Sequence, residues 1–166
     1  FINEEGKLVI AFRDDLVWNK TPNTMNIGIE GIGFPQFVNG LCSIKRMQDD
    51  GIARYGFIDK TGKVVVAAEF LNVSQFNNGY AVGIYESKAL RGKNSFQLNI
   101  YDYAFTEIVV NEKGELLWPI QKRQNIVMSK KLYELPELHA QMISSDLLKV
   151  KDESNKWKIV KPKLEH

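Results

Sequence analysis

Few side chains in this sequence have a type and spacing that could do chemistry. Cys42 is the one cysteine, and His139 is the one histidine before the last residue. A cysteine nucleophile needs a histidine and an orienting group brought beside it. The other interpretation is that Cys42 is a small buried hydrophobe, because the matching position elsewhere in the chain is Ala81. We favour this second interpretation.

The acidic pairs and the glycines do not form a known ligand motif. Asp14-Asp15 and Asp49-Asp50 lack the alternating ligand spacing of a calcium loop. A single cysteine excludes an internal disulfide and a cysteine-based zinc site. The G-x-x-G-x-G spacing of Gly28, Gly31 and Gly33 precedes no helical pattern, so it does not fit a dinucleotide loop. We therefore predict no metal, no cofactor and no enzymatic activity.

Three aromatic residues are the candidate binding residues: Tyr101, Tyr103 and Phe105. A turn at residues 91–94 is followed by apolar residues at period two, which predicts an inserted hairpin within residues 84–109. The three aromatic side chains fall on the face opposite Phe96, Leu98 and Ile100. If the hairpin projects, this face is free to stack on a sugar ring or to anchor a protein partner. If the hairpin is sandwiched, both faces are buried and no site remains.

The elements that position these residues are repeats. A stretch of an apolar pair, an Asn or Asp, two polar residues, a Gly and an apolar run occurs at 57–66, 1–9 and 109–116. Asn and Asp hydrogen-bond to their own turn backbone and Gly accepts positive φ, so each stretch predicts a tight hairpin. A second stretch alternates with the first, at 37–42, 76–81 and, more loosely, 143–148. Each unit then contains about three short strands whose apolar face must be covered by neighbouring units.

A dipeptide leads from the second stretch back to the first: Arg54-Tyr55-Gly56 precedes Phe57, and Lys156-Trp157-Lys158 precedes Ile159. These residues resemble the WG or KWG repeat family, with Tyr55 at the position of the family's Trp. The resemblance implies an all-β fold of stacked antiparallel hairpin or meander repeats, and it implies no catalytic residues. The tryptophans Trp18, Trp118 and Trp157 are interpreted as core anchors.

The resemblance predicts a single domain over residues 1–163. We expect about three to four degenerate units, with approximate bounds of 1–36, 37–75, 76–142 and 143–163. The first unit begins at the Phe that follows Trp-Gly in the family. Leu164-Glu165-His166 resemble the start of an affinity tag, and we expect them to lie outside the fold.

Two other segments interrupt the repeat. Residues 19–36 begin as a loop and end in a Gly/Ile alternation, which predicts a strand close to another backbone. Pro136, Glu137 and the spacing of Leu138, Met142 and Ile143 predict one short helix near residues 135–143.

Composition limits the class of protein. Hydrophobic content of 44% and charged content of 25% are ordinary for a globular domain. The net charge of +2 gives no indication of nucleic-acid binding. Residues 121–166 carry 10 basic and 6 acidic residues, but their lysines alternate with apolar residues, as on the solvated face of a strand. No run reaches the roughly 20 apolar residues of a membrane helix. The sequence does not determine the cellular compartment of the protein, and we favour an extracytoplasmic location, secreted or at the cell surface.

Two functional hypotheses remain. The first is a non-catalytic β-repeat module that binds a protein or a glycan through residues 20–36 and 86–105. The second is an enzyme or an enzyme-inhibitor domain, with a site assembled by tertiary contacts. One native histidine and one cysteine supply little material for the second hypothesis, so we prefer the first.

Overall fold

The computed structural model describes residues 1–164 as an almost entirely β protein, as predicted. The first six strands are β1 (Leu41–Met47), β2 (Ala53–Asp59), β3 (Val64–Val73), β4 (Tyr80–Lys93), β5 (Asn99–Asn111) and β6 (Leu116–Arg123). They form one antiparallel meander in chain order. The last three, β7 (Ala140–Met142), β8 (Leu148–Lys151) and β9 (Trp157–Val160), form a smaller antiparallel sheet.

One kind of turn recurs along the chain. At Asp59 the backbone N–H of Gly62 donates to the Asp59 carbonyl at 2.9 Å, and the carboxylate accepts the N–H groups of Thr61 and Lys63. Gly62 has a φ of +86°, as the turn prediction requires. Corresponding turns begin at Asn3, Asn94, Asn111 and Asp152, each closed by the same backbone hydrogen bonds and by the side chain of the Asn or Asp. Sequence reasoning missed those at Asn94 and Asp152, because Gln97 and Asn155 take the place of Gly there.

The second repeated stretch forms a tighter turn. Asn39-Gly40 and Asn78-Gly79 have positive φ at both residues, which defines a type I′ hairpin turn. The side-chain amide of Asn39 donates to the carbonyl of Phe76 at 2.6 Å and so links the two turns.

Neighbouring repeats also share one packing contact. The rings of Phe57 and Phe76 meet edge to face with centroids 4.8 Å apart. Phe1 and Phe37 occupy the matching positions one unit earlier and meet with centroids at the same separation. The sequence repeat is thus also a repeat of side-chain contacts in these two units, since Phe1 packs against Phe37 and Phe57 packs against Phe76.

The meander has a core on each face. One core contains Phe57, Val66, Phe70, Phe76 and Ile108. The other contains Leu71, Val82, Ile84, Phe105 and Val109, and it also receives residues from the small sheet. The small sheet is therefore packed on the second face of the meander.

The helix predicted near residues 135–143 is wrong. Residues 140–142 form β7, and among residues 1–164 the one helical element is a single 3-10 turn, Ile29–Gly31. The reason is tertiary: the buried carboxylate of Glu107 accepts the backbone N–H groups of His139 at 2.6 Å and Ala140 at 2.9 Å. Leu138 and Met142 are buried, but in an extended segment.

The strand predicted at the end of residues 19–36 is replaced by that 3-10 turn. The buried side chain of Asn72 holds it: its oxygen accepts the N–H of Ile29 at 3.0 Å, and its amide donates to the carbonyl of Pro136 at 2.9 Å. A Cβ at Gly28 would lie 2.4 Å from the Asn72 oxygen, so only glycine fits this contact.

The interpretation of the tryptophans as core anchors is wrong for Trp18 and Trp157, which are more than half exposed. Trp118 is partly buried and packs against the second core. Of the residues assigned to a tag, Leu164 packs against that same core, and residues 165 and 166 lie outside the described part of the chain. No helix within residues 1–164 has the length and hydropathy of a membrane span.

Candidate functional site

The strands β4 and β5 form a hairpin that extends well beyond the repeat. They contain 14 and 13 residues, whereas β1 and β2 contain 7 each. Strand β3 pairs with β4 only between Val73↔Gly83 and Phe70↔Tyr85. Strand β6 pairs with β5 as far as Phe105. In the described part of the chain no other strand pairs with residues 87–104, and most of their side chains are exposed. We call residues 87–104 the distal hairpin.

Tyr101 and Tyr103 lie on one face of the distal hairpin and are 38% and 45% exposed. Lys88 pairs with Tyr103 across the strands and covers both rings, with its ammonium nitrogen 4.0 Å from the centroid of Tyr101 and 5.6 Å from that of Tyr103. Such cation–π contacts hold the rings in place on an otherwise open surface. The two predicted tyrosines are therefore accessible and ordered by a neighbour on the same hairpin.

Phe105 was predicted as a binding residue, but in the structure it belongs to the core. It is 9% exposed and packs with Ile84, Val109 and Leu138. It shares a face with the two tyrosines, as the alternation predicted, but it lies where the small sheet covers that face. We assign Phe105 to packing.

The apolar residues on the tip and opposite face of the hairpin are accessible as well. Phe96 and Leu98 are exposed in and beside the turn, and Ile100 is partly exposed. Leu90, paired with Tyr101, is also exposed. The ribbon thus presents apolar surface on both sides, which the sandwiched alternative does not allow.

A groove of about 720 Å³ lies beside the base of the distal hairpin, where β3 and β4 separate. It is lined by side chains of both charges and by two aromatic rings, including Arg46, Asp49, Glu69, Tyr85, Lys88 and Tyr103. Tyr103 therefore contributes both to the exposed face and to the groove wall.

An ionic cluster around the buried Arg54 forms part of the lining of this groove. The guanidinium of Arg54 donates to Glu86 from Nε at 2.8 Å and to Asp50 from Nη2 at 2.9 Å. Burial favours the protonated form of Asp50, but hydrogen bonds from the Ile52 amide and from Arg54 outweigh it and lower the pKa of the carboxyl. The cluster joins β2 to the base of the distal hairpin, because Glu86 is the last half-buried residue of β4 before it.

The ring of Tyr133 lies close to this cluster, and Tyr55 follows Arg54 in β2. Burial raises the pKa of Tyr55 and, more strongly, that of Tyr133. Sequence reasoning did not find the cluster, because Arg54 and Glu86 are far apart in the chain and only the meander brings them together.

The residues considered for catalysis are not brought together. Cys42 is buried with Ile44 and Ile58, and this burial raises the pKa of its thiol. His139 lines a different cavity, beside Lys151 and Trp157. Burial and the nearby Arg123 lower the pKa of the imidazole. Within residues 1–164, no group of three or more His, Cys, Asp or Glu side chains could hold a metal ion.

The other predicted segment, residues 20–36, also borders a cavity. This cavity of about 430 Å³ lies against Ile27, Gly28, Asn39 and Phe76, where the irregular segment meets the repeat turns. Among the described residues that line it, none is acidic or basic.

One comparison with known protein families gives a match to part of the chain. A family model described as WG containing repeat matches residues 55–82, which span part of β2, all of β3 and the start of β4. No curated protein and no solved structure gives a match. The matched stretch contains the Asp59–Lys63 turn, the Phe57–Phe76 contact and the Asn78-Gly79 turn. Residues 55–82 of this β protein therefore match a WG-type repeat, in agreement with the turns and the ring contact described above.

Proposed function

We propose that this protein is a non-catalytic binding module that engages another protein through the distal hairpin. The observation that carries the proposal is the apolar and aromatic surface on both sides of a projecting ribbon. Leu90, Tyr101 and Tyr103 lie on one side, and Phe96, Leu98 and Ile100 lie at the tip and on the other. Solvent-exposed clusters of this kind mark interaction sites in folded proteins.

The arrangement favours a protein over a glycan. A sugar stacks on one open aromatic face, whereas Lys88 already occupies a face of Tyr101. A protein cleft can enclose a ribbon from both sides, and aromatic side chains are the usual anchors at such interfaces. Glycan binding is the second candidate, since the groove joins Tyr103 to the carboxylates of Asp49 and Glu69.

The test uses two variants of the distal hairpin. Tyr101→Ala combined with Tyr103→Ala removes the anchors on one face, and Phe96→Ala combined with Leu98→Ala removes those at the tip. Phe12→Ala is the matched control, because Phe12 is exposed in the first repeat unit. In a pull-down from cell extract, we expect proteins retained by the wild type and by Phe12→Ala to be lost by both double variants.

The same variants on a glycan array separate the two candidates. If the tyrosine variant alone loses a glycan signal while the tip variant keeps it, the ligand is a sugar and the protein-partner proposal is incorrect. If the double variants unfold, as measured by circular dichroism, the distal hairpin is part of the core and the proposal fails.

A further inference from the structure

The last repeat unit repeats the geometry of the middle unit. In the middle unit β1 pairs with β2 so that Cys42 faces Ile58 and Lys45 faces Tyr55. In the last unit β8 pairs with β9 so that Leu148 faces Val160 and Lys151 faces Trp157. Ile159 is thus the equivalent of Phe57, and Trp157 is the equivalent of Tyr55.

The two units differ in what lies next to them. The outer edge of β2 hydrogen-bonds to β3, with Phe57 opposite Val66 and Ile58 opposite Val64. In the part of the chain that the structure describes, no strand pairs with the outer edge of β9. Phe57 is accordingly 2% exposed, and its equivalent Ile159 is 62% exposed.

The face of the small sheet that carries Trp157 and Ile159 also carries Lys149 and Lys151, and Glu137 lines the same cavity as these lysines. The ammonium groups of Lys149 and Lys151 lie 4.9 Å and 5.9 Å from the centroid of the Trp157 ring. Among residues 1–164, neither lysine forms an ion pair with a carboxylate, whereas Lys158 and Lys161 do. A cavity of about 330 Å³ borders the same three side chains.

We propose that β9 is an acceptor edge that binds an extended, apolar strand with at least one carboxylate, presented by a second polypeptide. The middle unit shows what such an edge accommodates: a β-branched strand like β3, followed by an aromatic ring equivalent to Phe76. Main-chain hydrogen bonds would provide affinity, and contacts with Ile159 and Trp157 would provide specificity. The unpaired lysines favour a carboxylate on the incoming strand.

The probe is a synthetic, fluorescently labelled peptide with the sequence of residues 63–76, which contains β3, Glu69 and Phe76. We expect its anisotropy to rise saturably with added protein, and a scrambled peptide to give no saturable signal. Amide chemical-shift changes should cluster at Trp157–Val160. Raising the salt concentration should weaken the complex, because Lys149 and Lys151 are partly exposed to solvent.

Ile159→Lys should weaken binding by at least about tenfold, since it places a charge where an apolar contact is expected. Leu8→Lys is the matched control, because Leu8 is 63% exposed in the first repeat unit and lies outside both proposed binding surfaces; it should bind the peptide like the wild type. The proposal is wrong if the peptide shows no saturable binding or if the amide chemical-shift changes are confined to other strands. It is also wrong if Ile159→Lys binds the peptide as tightly as the wild type does. In those cases the edge lysines simply protect β9 from pairing. None of these outcomes depends on the partner of the distal hairpin.

Discussion

The β4–β5 hairpin has a proximal half, residues 80–86 and 105–111, and a distal half, the distal hairpin of residues 87–104. Both halves have antiparallel pairing and alternating side chains, but they differ in burial. On one face, Val109, Glu107 and Phe105 are buried, while Tyr103 and Tyr101, the next residues on that face, are accessible. Strand pairing is continuous across this boundary except for one bulge nearer the tip. The difference lies in the neighbours: the small sheet covers the proximal half, and nothing within residues 1–164 covers the distal half.

The comparison teaches that alternation in a strand predicts which residues share a face, but not whether the face is covered. Burial depends on elements far away in the sequence. The proximal half should therefore respond to substitution through stability, and the distal half should respond mainly through binding.

Glu107 should give the largest effect on stability. Its carboxylate accepts hydrogen bonds from His139, Ala140, Gln121 and Arg123 and is fully buried. Glu107→Ala leaves the buried N–H groups of His139 and Ala140 without their acceptor and removes the carboxylate that pairs with Arg123, so we expect a loss of about 3–5 kcal/mol in the free energy of unfolding. Urea denaturation measures this loss. A loss below about 1 kcal/mol would mean that β7 is held by something else.

Phe105 and Tyr103 test the boundary itself. Phe105→Ala should destabilise the fold by about 3–5 kcal/mol because it opens a cavity in the second core. Tyr103→Ala should change stability by less than about 1 kcal/mol, since its ring is half exposed. Equal losses for the two variants, in parallel denaturation experiments, would show that the distal half is also covered.

The recurring turn offers a comparison between repeat and insertion. Gly62→Val places a β-branched residue at a φ of +86° and brings a Cβ within 3.2 Å of Ile10. We expect a loss of about 1–2 kcal/mol or more. Gln97 occupies the same position in the tip turn, with a φ of +62°, so Gln97→Gly should be neutral or slightly stabilising. If Gly62→Val is tolerated as well, the turn does not stabilise the repeat.

A small effect is also expected at Asp50. It lies between β1 and β2 and pairs with Arg54, which in turn binds Glu86 at the boundary between the two halves of the hairpin. The pKa of its carboxyl is lowered in the folded state, so its ion pair with Arg54 contributes at neutral pH, above the unfolded-state pKa. That contribution is lost as pH falls through the folded-state pKa. Asp50→Asn should cost at most about 1 kcal/mol at pH 7 and nothing near pH 2. A cost that persists in acid would rule out an electrostatic origin.

The turns could be predicted from the sequence, but the burial of side chains by distant parts of the chain could not. The Asp59–Gly62 turn and the Asn39-Gly40 and Asn78-Gly79 turns depend on adjacent residues, so the printed sequence is enough to find them. The helix near Pro136 failed because Glu107, a distant residue, takes the backbone N–H groups that a helix would have used. Trp157 was assigned to a core because it is the internal equivalent of Tyr55; β3 pairs beside Tyr55, whereas within residues 1–164 no strand pairs with the outer edge of β9.

The candidate site divides along the same line. The alternation predicted that Tyr101 and Tyr103 share one face of an inserted hairpin, but it left open whether that face is exposed or covered. The Arg54 cluster was not predicted at all, because its partner Glu86 comes from the next repeat unit and no local pattern joins them.

The buried amide of Asn72 has a consequence for how the molecule opens. It holds Ile29 on one side and Pro136 on the other, two irregular segments that are remote in sequence. Detaching either segment leaves half of a buried amide unsatisfied, which raises the free energy of the partly opened state. The two segments should therefore detach together as one cooperative unit, and the amide protons of Ile29 and of residues 139–140 should exchange with solvent at a common free energy.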